Sequence, residues 1–229
     1  MNVNIYSLIE GAKKAEGLTV VIDVFRAFSL ECYLYDMGVK EIRPVGTIEE
    51  AFRLKELIPD SVLVGERGGK KCEGFDFGNS PSTIPREAVE GKTIIHTTSA
   101  GTQGIVNAVG ASEIITGSLV NAKAVAEYIL GKKPETVSII CMGNAGVRPA
   151  KEDELCGEYI KSILEGRELS DIAKRVAALQ FDGGEHFFST DMQDVYPEGD
   201  FHMCIKYNRF PFVIRVEKDE LGFVTRRED

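Results

Sequence analysis

The stretch GERGGKKCEGFDFGNSP, residues 65–81, gathers the groups best suited to chemistry. Its glycines, Gly65, Gly68, Gly69, Gly74 and Gly78, let backbone amides approach a ligand closely. Between them stand carboxylates at Glu66, Glu73 and Asp76 and cations at Arg67, Lys70 and Lys71. Carboxylates suit a hard divalent metal, while the cations and free amides suit an oxyanion. A flexible connector is the plain alternative, although connectors seldom collect both charge signs around so many glycines.

Three further clusters carry reactive types. Asp23 ends an apolar run and is followed by Arg26 and Ser29 at a helix start. A carboxylate there can hold magnesium or attack phosphorus, with Arg26 and the helix amides on phosphate oxygens; alternatively it caps the helix. A phosphatase with a second Asp two residues after the first is disfavoured, because Phe25 occupies that place. Thr97, Thr98, Ser99, Gly101 and Thr102 make a hydroxyl-rich turn, either an oxyanion cradle or a helix cap. His96 before it is packed or catalytic. Glu152 and Asp153 open another helix, and since neighbouring helical residues diverge, one of the two is expected to enter a site. The dipole favours acids in a first turn without any ligand. Cys141 and Arg148 are separated by six residues where a cysteine-phosphatase loop needs five, which leaves Arg148 as an anion contact only.

These groups need elements to hold them. Short β-branched runs at 18–24, 40–45, 61–64, 92–97, 112–116 and 136–142 read as strands. Helical periods follow at 25–38, 47–58, 103–109, 119–130, 149–166 and 170–181, with Thr47 and Glu50 spaced as a capping box. The alternation predicts an α/β fold, a three-layer α/β/α sandwich with a mostly parallel or mixed sheet. Residues 1–182 form its core; residues 183–229 carry a short helix near 201–207 and a closing strand pair, 212–216 and 222–226, expected as a small C-terminal antiparallel edge or flap of the same domain. In a parallel sheet the strand ends share one rim. The segments at Asp23, Glu66, Thr97 and Glu152 are therefore expected to converge on a single pocket.

Composition narrows the partners. A net charge of −9 over 229 residues disfavours a nucleic-acid surface. No apolar run reaches the ~20 residues of a membrane helix, and the first residues lack the basic start and apolar core of a signal peptide. Five scattered cysteines without a CxxC pair read as reduced thiols. The expectation is a cytoplasmic protein, and base rates favour a homodimer.

The motifs VVIDVFRAFS at 20–29, the 65–81 block, TTSAGT at 97–102, GSLVNA at 117–122 and EDELCG at 152–157, in that order, resemble the 2-phosphosulfolactate phosphatase family, magnesium-dependent acid phosphatases associated with coenzyme M biosynthesis. The resemblance implies an α/β/α fold, hydrolysis of a small sulfonated phosphate ester, and Mg2+. Carried over by motif, it implies catalytic roles for Asp23, Glu66 and Asp153, metal ligation by Asp23, Glu66, Glu152 and Asp153, and substrate contacts from Arg26, Arg67, Thr98 and Thr102; Lys70, Lys71 and Arg148 are further cations available to a polyanionic substrate. Ser99-Ala100 stands where the resemblance leads one to expect Thr-Asn. That departure keeps open a second reading, an inactive module that binds an anionic metabolite.

Overall fold

The computed structural model describes residues 1–167 and 169–229. The strands are β1 (Asn2–Ser7), β2 (Gly17–Ile22), β3 (Glu41–Pro44), β4 (Val62–Arg67), β5 (Lys70–Lys71), β6 (Thr93–Thr97), β7 (Ala111–Gly117), β8 (Thr136–Cys141), β9 (Val213–Asp219) and β10 (Gly222–Glu228). The helices are α1 (Leu8–Ala12), α2 (Ala27–Asp36), α3 (Ile48–Leu57), α4 (Arg86–Val89), α5 (Gly101–Asn107), α6 (Ala122–Lys132), α7 (Lys151–Leu164), α8 (Ile172–Ala178) and α9 (Glu198–Cys204). The expected cap forms at α3, where Thr47 Oγ1 accepts from the Glu50 amide at 3.1 Å, but the capping box is not closed on Thr47: Glu50 Oε2 accepts from the Gly46 amide, one residue earlier, at 3.2 Å. At α5 the reciprocal bonds between Thr98 and Thr102 start the helix at Gly101, before the expected residue 103.

All strands join one ten-stranded mixed sheet, ordered β1-β8-β2-β7-β9-β10-β3-β6-β4-β5. It contains two parallel blocks: β1, β8, β2 and β7, then β3, β6 and β4. Between them lies the β9-β10 hairpin, antiparallel to both neighbours. The C-terminal strand pair is thus an antiparallel element as expected, but its edge position is corrected: it is the centre of the sheet. Its reach explains why. Val213, Ile214, Val224 and Thr225 are buried, and Thr225 pairs with Ile42 across the seam to the second block.

Counting through the hairpin, the two blocks run in opposite senses, so a flat sheet would put their carboxyl ends on opposite rims. Right-handed twist of roughly 20–25° per strand accumulates over the steps from β2 to β6 to more than ~100° and turns one set of ends toward the other. The helices cross over accordingly. α2 leaves β2 but packs Leu30 and Leu34 on Ile42, Val64 and Ile94 of the second block. α5 leaves β6 but packs Ile105 on Val21 and Ile140 of the first. Helices α6 and α7 cover the other face of the first block through Val125 and Ile160, and α3 covers the second through Ala51 and Leu54, completing three layers.

A hairpin that joins the blocks cannot be dispensable. Deleting residues 212–229 is expected to abolish cooperative thermal unfolding and the native elution volume. A truncated chain whose Tm stays within roughly 5 °C of the full chain would show that the sheet does not need it.

Candidate active site

The crossed helices bring their N-termini side by side, and a cavity of about 390 Å³ opens there. It is lined by Asp23, Glu66, Glu152 and Asp153, with Arg26 and Arg148 opposite in charge, so four chain segments meet as expected. Both neighbours of the Glu152-Asp153 pair enter the wall, where one was anticipated. Both side chains, in the first turn of α7, border the same space.

Each carboxylate is held differently. Asp153 bridges the loops after β2 and β8: Oδ1 accepts from the Val24 amide at 2.8 Å and Oδ2 from the Gly143 amide at 2.7 Å. Glu66 joins β4 to the β6-α5 turn, Oε1 accepting from the Ser99 amide at 2.6 Å and Oε2 from the Gly69 amide at 2.7 Å. Ser99 Oγ adds a bond to Glu66 Oε2 at 3.1 Å, so the Ser99 hydroxyl has a use in the wall. Asp23 and Glu152 have no such clamp, apart from the Gly101 amide near Asp23. Burial pushes Asp23 well above the ordinary aspartate range, and the charges of Asp153, Glu66 and Glu152 add to the rise. Glu152 is pushed up to about 8, by burial and then by Asp153. Burial raises Asp153 to about 7, against the pull of its two amide donors.

Arg26 has φ 99° and ψ −60°, a backbone conformation that side-chain-bearing residues rarely adopt. Its guanidinium donates to the Val195 carbonyl at 2.8 Å and lies 4.5 Å from the centroid of the Tyr196 ring. This contact carries the C-terminal region over the cavity, where His186, Phe187 and Tyr196 complete the wall. His186 is held below the usual histidine range by burial and then by the Arg26 charge. Sequence reasoning missed these three residues. The only hint was a histidine among aromatics in a segment without periodicity.

Other expected contacts lie elsewhere. Alternation on β4 turns Arg67 away from Glu66, and its guanidinium binds the Gly46 carbonyl at 3.1 Å and Thr97 Oγ1 at 2.9 Å. Thr98 and Thr102 bond to each other at the start of α5, the capping alternative. Lys70 is exposed on β5, outside the lining. Arg148 lines the cavity and makes no ion pair among the described residues.

The donor set fits magnesium in a limited way. Among the described residues no three His, Cys, Asp or Glu side chains form a ready-made metal cluster. Magnesium, however, usually takes one or two carboxylates and keeps waters. Asp23 and Glu152 are the carboxylates least committed to protein donors, and a cation there would offset the burial and the repulsion that raise both.

Those shifts have a sign. Between about pH 4, where free carboxyls titrate, and about 8 for Glu152, the folded chain holds protons the unfolded chain has lost, so stability falls as pH rises. Without divalent cations, Tm is expected to drop by several degrees between about pH 5 and 8, and millimolar Mg2+ to restore it at the upper end. A Tm unchanged over that range, or indifferent to Mg2+ at about pH 8, would contradict the repulsion argument.

Comparison with known proteins agrees with the geometry. The family described as 2-phosphosulpholactate phosphatase matches residues 3–219. A Bacillus subtilis protein named "probable 2-phosphosulfolactate phosphatase" is 31% identical over 221 residues, 96% of this chain and 95% of its own length. Proteins of the same name from Clostridium perfringens and Carboxydothermus hydrogenoformans are 33% identical over 90% of this chain (89% of the relative) and 40% identical over 76% (73% of the relative), respectively. With nearly its whole length matched, the chain belongs to the 2-phosphosulpholactate phosphatase family.

Proposed function

We propose that this phosphoric monoester hydrolase cleaves 2-phosphosulfolactate to sulfolactate and phosphate in the cavity beneath Tyr196, with Mg2+ held by Asp23 and Glu152. The observation that carries the proposal is the meeting of four buried acids and two arginines in one small space. Uncompensated acids there are costly, and a cation with a phosphate ester supplies both missing partners. When bound, magnesium neutralises charge on the phosphoryl oxygens.

The chain's own residues do the rest. Arg26 and Arg148 face the ester's oxygens and its second anionic group, charge-assisted contacts that also fix orientation. Glu66 and Asp153, pinned by amides, hold the loops at the spacing the ester requires. His186, neutral at neutral pH because of burial and Arg26, takes the proton of the attacking water and returns it to the sulfolactate oxygen as the phosphorus–oxygen bond of the ester breaks. A substrate with phosphate, carboxylate and sulfonate groups suits an opening flanked by Arg26, Arg148 and, in the adjoining cavity, Lys71.

No helix among the described residues is long and apolar enough to cross a membrane. Five unpaired, buried cysteines support a reducing, cytoplasmic setting. A homodimer is proposed on the prevalence of cyclic pairs, to be read by light scattering.

Purified protein with Mg2+ is expected to release phosphate from 2-phosphosulfolactate, and to stop with EDTA. Asp23→Ala should lower kcat at least ~100-fold, as loss of a central electrostatic group does. Saturable ligand binding without any product would favour the inactive binding module instead, and metal-free turnover at the full rate would remove magnesium.

A further inference from the structure

Behind the cavity lies a hydrogen-bonded line that the roles above do not use. Glu31 on α2 and His96 on β6 are both 0% exposed. Glu31 Oε1 lies 3.0 Å from His96 Nδ1, and His96 Nε2 lies 3.1 Å from Asn79 Oδ1. Asn79 belongs to the glycine-rich loop and lines the cavity. With Oδ1 facing the ring, the amide oxygen accepts and His96 presents N–H at Nε2. The oxygen is thus held from behind, and the NH2 group faces the other way.

The forward side is open. Asn79 is 4% exposed, yet its Nδ2 donates to no group among the described residues and is not one of the sealed, unpartnered atoms. Asn79 lines the cavity that contains Asp23 and Glu66, and also the adjoining one that contains Lys71. At the rear, Glu31 Oε2 is buried with no partner. A network serving stability alone would not stop at an orphaned carboxylate oxygen at one end and a free amide at the other, since apolar residues of similar shape fill such space at no loss.

We infer that Asn79 is a direct contact to the phosphoryl group, its NH2 donating to an ester oxygen, and that His96 and Glu31 are positioning residues that lock the amide in this orientation. The inference rests on the phosphatase reading and adds a neutral donor beside the cavity's acids and arginines. A donor fixed before the substrate arrives needs no reorganisation during the reaction, which is where such groups gain their effect. It also accounts for the placement of His96 one residue before the Thr97 strand end: the ring supports the loop across the gap between β6 and residue 79.

The test is kinetic, with the full chain, Mg2+ and 2-phosphosulfolactate, alongside inhibition by inorganic phosphate and thermal unfolding of each variant. Asn79→Ala is expected to lose on the order of 10- to 100-fold in kcat/KM, the worth of one hydrogen bond to a charged group, and to weaken phosphate inhibition. Asn79→Asp, the same shape with the donor replaced by an acceptor, should lose more than Asn79→Ala. His96→Ala should lose activity as well, but the double variant Asn79→Ala/His96→Ala should be no worse than Asn79→Ala, because a residue acting through Asn79 has nothing left to act on. His96→Gln, which can still donate to Oδ1, should recover part of the loss. Wild-type kcat/KM and phosphate inhibition in Asn79→Ala, or losses that multiply in the double variant, overturn the inference. If a His96 variant fails to fold, the order of Asn79→Ala and Asn79→Asp decides alone, equal activity in the two counting against it. Failure of the wild type to hydrolyse any phosphate ester overturns the phosphatase reading itself, a different result from an active enzyme indifferent to Asn79.

Discussion

The architecture turns on one close approach. Gly101, the first residue of α5, lies so near the start of α2 that an added Cβ would be 2.9 Å from Asp23 Oδ2, 3.0 Å from Ala27 Cβ and 3.1 Å from Phe28 Cζ. Only a glycine lets the two helix N-termini meet at this distance. Each N-terminus carries a partial positive charge, and between them they face a space otherwise crowded with carboxylates. The seam is therefore both a close packing contact between the blocks and the electrostatic setting of the cavity. If the helices moved apart by a methyl group, Asp23 would lose the Gly101 amide and the cavity would admit more water.

That seam exists only because the sheet is turned by its central hairpin. β9 and β10 are buried on both faces at one end, where the consecutive residues Val213 and Ile214 and Val224 and Thr225 are covered, while Arg215, Glu217 and Arg226 further along are more exposed. The charges there pair across strands, Arg226 with Glu41 at 3.2 Å and with Glu217 at 3.4 Å, and Arg43 with Asp219 at 2.8 Å. Half-exposed pairs of this kind contribute modestly, about 0–1 kcal/mol each, but opposite charges placed across strands help specify the register. The second block meets the hairpin through one paired position, Thr225 with Ile42, reinforced by the Tyr35 hydroxyl on the Thr225 carbonyl at 2.5 Å. A helix of the first crossover thus fastens the seam between hairpin and second block.

Much of this was legible in residue order, and its limits have physical causes. The buried parallel strands announce themselves because both faces are apolar, as at Val20–Ile22 and Ile94–Ile95. β1 does not, since it is an edge strand with alternating exposure and polar asparagines. The hairpin reads as an edge because its charged residues look solvent-facing in one dimension; nothing in a sequence says that it inserts between β7 and β3, strands far earlier in the chain. In the site, the acids were found because acids after a strand or at a helix start are conspicuous. Arg67 was misplaced by one step of alternation, and Thr98 and Thr102 present the same hydroxyls whether they cap a helix or bind a ligand. His186 and Tyr196 escaped because their role comes from where the tail folds back, not from any local pattern.

The tail's return also explains the strain at Arg26. A side chain in that backbone conformation persists only if its surroundings over-determine it. Here the guanidinium is anchored by the Val195 carbonyl and the Tyr196 ring, and the Arg26 carbonyl accepts from the Leu30 amide in the first turn of α2 at 2.6 Å. Relaxing φ would swing the guanidinium off Tyr196 and release the segment that holds His186 against Phe187 with ring centroids 4.3 Å apart. The strain and the cover over the cavity are consequently one device. The same bend that places a cation beside the four acids also fixes the aromatic wall that shields them from bulk water, and shielding is what raises the proton affinity of Asp23, Glu152 and Asp153 in the first place.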